Sequence, residues 1–157
     1  MTTPQHISKL YKDLIHGGNY TGVSFKKVLE DISLEEAVAK VGSCNTIATL
    51  VYHIQYYCKA VMGVLEGGPL EAHDSLSFYH PPVTSEKDWE QLKNETWKEA
   101  ARFGELVANL SEEKLYESFI KEAYGTYYRN IHGVIEHTHY HLGQISLLKK
   151  LLREQNR

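Results

Sequence analysis

Four of the chain's nine histidines, His132, His137, His139 and His141, fall within ten residues of one another. His137 and His141 are one helical turn apart, so on a helix their rings share a side and can reach one ion. His139, two residues from each, points away. In the stripe Val134, His137, His141, Ile145, Leu148, Leu152, both imidazoles take positions otherwise given to apolar side chains, so both are expected to face the interior. A third ring, His53, lies with Leu50, Tyr57 and Val64 along the edge of another apolar stripe. Buried imidazoles without partners would each cost on the order of 1–3 kcal/mol, whereas a shared divalent ion uses their nitrogen lone pairs directly. Three histidine ligands leave coordination positions for water or substrate, which points to Lewis-acid or bound-water chemistry. Spacing alone is equally compatible with half-exposed histidines bonded to backbone or water.

Competing motifs are incomplete. A zincin helix needs His-Glu-x-x-His, and His137 is followed by Thr138, His139, Tyr140 and His141. A carboxylate-bridged di-iron bundle needs two Glu-x-x-His pairs, and the chain offers one, Glu136 with His139. Glu136 adjoins His137 but faces elsewhere on the helix, which weakens it as a base for hydrolysis. Cys44 and Cys58, read as lying on one helix, are about 21 Å apart, too far for a disulfide. They also lack Cys-x-x-Cys spacing, so neither receives a catalytic role. Asp74, His80 and Arg129 are the polar residues that could help to hold a substrate. Tyr52, Tyr56, Tyr57, Tyr79, Tyr127 and Tyr128 are read as core or rim packing.

These residues must be positioned by helices. Ile7, Leu10, Tyr11 and Leu14 recur at helical spacing from Pro4 to about Ile15, and His16-Gly17-Gly18-Asn19 ends that helix. Short helical pieces are expected at Phe25–Glu30 and Leu34–Val38, the second with Ser33 and Glu36 as a capping box. A long helix should start after Ser43/Asn45, run to about Glu66 and stop at Gly67-Gly68-Pro69, with Ile47, Leu50, Val51, Ile54, Val61 and Leu65 inward. Pro69 to Thr84 has no helical period and contains a Pro-Pro pair, so it reads as a long loop of the kind that often covers a site. A third long helix spans about Ser85 to Asn109, a short turn begins at Ser111, and the last helix runs from about Tyr127 to Arg153. The reading is all-α, a four-helix bundle, with residues 1–157 forming a single domain.

Composition excludes other classes. With 42% hydrophobic and 24% charged residues the chain is of ordinary globular type. A net charge of -3 with mixed signs supplies no basic stripe for nucleic acid. No apolar run is long enough to span a bilayer, and the N-terminus lacks the apolar core of a signal peptide, so no membrane partner and a cytoplasmic location are expected.

Two segments, NTIATLVYHIQYY with His53 and IEHTHYHLGQISLLKKLL with His137 and His141, make the chain resemble the DinB-like (YfiT-type) metalloenzyme superfamily over nearly its whole length. The resemblance implies an up-down-down-up bundle and a metal-binding triad falling on His53, His137 and His141. It further implies zinc or nickel as the ion, a small-molecule substrate and a homodimer. Characterised relatives include bacillithiol and mycothiol S-transferases and maleylpyruvate isomerases. The leading expectation is therefore a thiol-dependent S-transferase, in which the metal favours the thiolate of a low-molecular-weight thiol co-substrate. Two readings stand beside it: a hydrolase using metal-bound water, and a non-catalytic bundle dimer or interaction module with a structural or vestigial site.

Overall fold

The computed structural model describes residues 1–155. Among them are seven α-helices: α1 (Thr3–His16), α2 (Phe25–Leu29), α3 (Leu34–Val38), α4 (Ile47–Leu65), α5 (Glu86–Ala108), α6 (Glu112–Tyr116) and α7 (Tyr127–Gln155). No strand occurs among the described residues, only an isolated bridge between Ser118 and Thr126. The chain is all-helical, as its periodicity predicts. No helix of the described residues is long and apolar enough to cross a membrane.

The helix ends follow from local chemistry. Thr2 with Gln5, Ser33 with Glu36, and Ser85 with Asp88 form capping boxes that satisfy amide groups otherwise left without partners. At the start of α4 the cap is Thr46, whose side-chain oxygen accepts from the Thr49 amide. That cap leaves Cys44 in the preceding turn, so the expectation that both cysteines share one helix does not hold. Both are free thiols, Cys44 exposed and Cys58 buried. The other end of α4 closes as a Schellman motif: Gly67 N–H donates to Val64 O and Gly68 N–H to Gly63 O. Gly67 takes φ 90°, and a Cβ on Gly68 would stand 3.0 Å from Gly63 O, so two glycines are required here.

The four long helices pack in a ring, α1 on α5, α5 on α4, α4 on α7, and α7 back on α1. Side-chain pairs give their directions. Ser8 Oγ donates to Gly104 O and Tyr11 packs on Phe103, while Gln5 lies beside Ala108, so α1 and α5 run antiparallel. Lys59 pairs with Glu99 and Glu66 with Arg102, so α4 and α5 run parallel. His53 meets His141 where Val61 lies near Val134, so α4 and α7 are antiparallel. Trp89, Leu92, Thr96, Ala100, Phe103 and Val107 of α5 are buried, as are Ile131, Val134, Leu142, Ile145, Leu148 and Leu152 of α7. Leu65 is only half-buried, because it lies at the last turn of α4.

Two features position the site. Because α4 and α5 are parallel, the segment 66–85 must return along α4, whose 19 residues span about 28 Å. That return carries the chain past His53. At the other end, α7 is fastened to the α2–α3 segment: Lys149 Nζ donates to Val28 O and pairs with Asp31, and Arg153 pairs with Asp31 and Glu36. Those cations hold the Asp31 carboxyl down to about 2. Trp89 Nε1–H donates to Ile32 O at 2.9 Å, tying the same segment to α5.

Candidate metal centre

The three histidines converge. His53 comes from the second turn of α4, and His137 and His141 come from successive turns of α7. His137 Nε2 lies 3.0 Å from His53 Nε2 and 3.1 Å from His141 Nε2, and one donor atom from each ring falls within 4.8 Å of the others. Donors about 2.0–2.1 Å from a common ion are about 2.9–3.4 Å apart for bond angles between right and tetrahedral, so the two separations from His137 suit one shared cation. His53 is 6% and His141 7% exposed, while His137 is half-buried.

The surroundings fix which nitrogen carries the proton on His53 and on His141. Ser77 Oγ–H donates to Asp74 O at 2.8 Å, which commits its single proton. Its oxygen therefore accepts from His53 Nδ1–H at 3.1 Å. Gln144 Oε1 accepts from His141 Nδ1–H at 2.6 Å. Both rings thus present bare Nε2 lone pairs towards His137. One ring proton on His137 satisfies one of these lone pairs and leaves the other, whereas a cation satisfies all three nitrogens. The donor set fits a divalent metal.

Electrostatics keep the lone pairs free. Burial, and then the neighbouring His141, lower the His53 pKa. Burial and the other two rings bring His137 down to about 4. Burial also lowers His141, against the opposing pull of Gln144. All three rings are neutral near pH 7, the form that ligates metal.

Aromatic side chains wall the centre. Phe78 stacks on His53 at 4.0 Å between centroids and 9° between planes. Tyr57 stands edge-on to His53 and His137, and Tyr140 to His141. The imidazoles open on a cavity of about 580 Å³. Asp74 and Arg129 line it, and the Tyr57 hydroxyl donates to Asp74.

The other sequence candidates separate. His80 is not at the centre: its Nδ1–H donates to Pro81 O at 2.7 Å, its Nε2 contacts Thr49 Oγ1 at 3.0 Å, and it lines a different groove with Tyr52. Glu136 is exposed and pairs with His132, and His139 is exposed, both as expected from their helical positions. Tyr52, Tyr56 and Tyr57 pack along the loop side of α4, with the Tyr56 hydroxyl donating to His73 O. Tyr57 does more than pack, since it lies in the cavity wall. Ser77, Phe78, Tyr140 and Gln144 were not legible as site residues. Gln144 had a signal, standing three residues after His141 on the same helix face. Ser77 and Phe78, on an aperiodic loop, had none.

A family model described as the DinB superfamily matches residues 21–145, a span that contains all three converging histidines. No curated protein and no solved structure gives a match.

Proposed function

The chain belongs to the DinB superfamily, and from that premise we propose that it is a metal-dependent enzyme holding one divalent ion on His53, His137 and His141. The observation that carries this reading is the set of Nε2 lone pairs converging beside an accessible cavity. A structural site would need no such cavity, and three protein ligands leave positions for a reactant. Zinc or nickel suits neutral imidazole donors.

Within that class we favour thiol-dependent S-transfer. A divalent ion bound there supplies Lewis acidity, keeping a low-molecular-weight thiol as its nucleophilic thiolate near neutral pH. The protein's own part is positional. Ser77 and Gln144 hold the His53 and His141 rings in the ligating tautomer. Phe78 covers one face of His53, and Tyr57 and Tyr140 stand edge-on beside the rings. Asn130, Gly133 and Val134 of α7 shape the cavity where the electrophile would lie. Hydrolysis is the second reading, and the observation that favours it is the Asp74 carboxylate in the same cavity, a candidate base where Glu136 is not.

Purified protein is expected to carry about one divalent ion per chain, and His137→Ala to abolish uptake. Metal analysis that finds the same negligible content in both proteins rejects the proposal. A panel of electrophiles assayed with and without small thiols, after zinc or nickel loading, separates transfer from hydrolysis by whether turnover needs the thiol.

A further inference from the structure

Arg129, Gly133, His137 and His141 recur every fourth residue of α7 and so form one row along the helix. Arg129 lines the histidine cavity but makes no ion pair among the described residues. Its guanidinium lies along the row towards the histidines: Nη1 is 3.7 Å from where a Cβ on residue 133 would stand. Residue 133 is one turn, about 6 Å of rise, from His137. With glycine at that position, no side chain of residue 133 stands between the guanidinium and the imidazoles. Val61, Phe78, Val134 and Tyr140 give the cavity apolar walls. Arg129 and Asp74 are the fixed charges among its lining residues, and Asp74 is already engaged by the Tyr57 hydroxyl.

We infer that Arg129 is a specificity-determining residue that pairs with a carboxylate on the ligand, so that the cavity selects molecules with a metal-ligating end, a short apolar middle and an anionic far end. The inference rests on the metal-centre reading above and names the substrate class for it. A guanidinium offers a planar fork that a carboxylate can accept bidentately, which an ammonium cannot match. The carboxylate belongs to the thiol or to the electrophile, and the two arms below separate these sources.

Two arms of one binding experiment test it on metal-loaded protein. In the first, 6-mercaptohexanoate is compared with 6-mercaptohexanol on the cobalt-loaded chain, following the thiolate-to-cobalt charge-transfer band. In the second, succinate, glutarate and adipate are compared by calorimetry with butyrate, valerate and hexanoate on the zinc-loaded chain. There one carboxylate can ligate the ion and only the diacids have another for Arg129. Wild-type protein is expected to prefer the doubly functional ligand by roughly tenfold in each arm. Arg129→Gln should bring both ratios near one with metal content unchanged, and Arg129→Lys should retain part of the preference. Ratios near one in the wild type, or ratios that survive Arg129→Gln, overturn the inference. If neither thiol ligates cobalt but the diacid preference vanishes in Arg129→Gln, thiol chemistry fails and the carboxylate site stands. A chain that takes up no ion overturns both.

Discussion

Ser77→Ala removes the oxygen that holds His53 in the tautomer whose Nε2 faces the other rings. Ser77 is fully buried, and its Oγ sits between His53 Nδ1 at 3.1 Å and Asp74 O at 2.8 Å. Without it, Nδ1–H has no acceptor in the structure, and the alternative tautomer places its proton on the nitrogen that would bind the ion. Loss of a comparable outer partner typically costs about 10–100-fold in metal affinity, or about 1.4–2.7 kcal/mol. The penalty for one unpaired buried donor, about 1–3 kcal/mol, is of the same size. Competition for zinc against a chromophoric chelator near neutral pH should therefore show Ser77→Ala weaker by that factor while still binding one ion per chain. Because the substitution also leaves Asp74 O with only the Ser77 backbone N–H and touches the 66–85 loop, Gln144→Leu provides the matching change. It removes the partner of His141 Nδ1 from within α7 and leaves the loop alone. A similar loss is expected. Wild-type affinity in both variants would refute the tautomer argument.

Two further outcomes follow from the buried groups. Each site histidine has a folded pKa below its ordinary value near 6.5, with His137 at about 4. Between those limits the unfolded chain binds more protons, so stability falls as pH falls. Chemical denaturation of metal-free protein should show the loss beginning below about pH 6.5, with the histidine part complete near pH 4 and the carboxylates held low, Asp31 among them, continuing it at lower pH; His137→Ala should shrink the part above about pH 4. A stability independent of pH across that window would contradict the burial assigned to these rings. Cys58, buried beside the Tyr11 hydroxyl, has its thiol pushed up to about 12, chiefly by burial. A thiol-specific reagent should label Cys44 rapidly in native protein and Cys58 only on unfolding, and mass analysis of the labelled peptides checks this.

Much of the helical frame was legible because helix formation is a local matter. Ser33, Ser85 and the Gly67-Gly68 stop each act through partners a few residues away, so spacing reveals them. Thr46 shows the limit: Ser43, Asn45 and Thr46 are all chemically able to cap, and the backbone geometry selects Thr46. His80 shows another, since a polar residue in an aperiodic loop has no facing that spacing can define.

By itself the sequence determined that His137 and His141 share a side of one helix, the side of its apolar stripe. The 3.6-residue period puts both rings in line with the apolar neighbours, while spacing alone left half-exposed rings bonded to backbone or water equally open. Packing decided that His53, 84 residues earlier than His137, meets them. The parallel course of α4 and α5 decided that Ser77 and Phe78 arrive over His53. Side chains that approach across such separations are fixed by how helices stack and how the chain must return between them, and no local pattern encodes either.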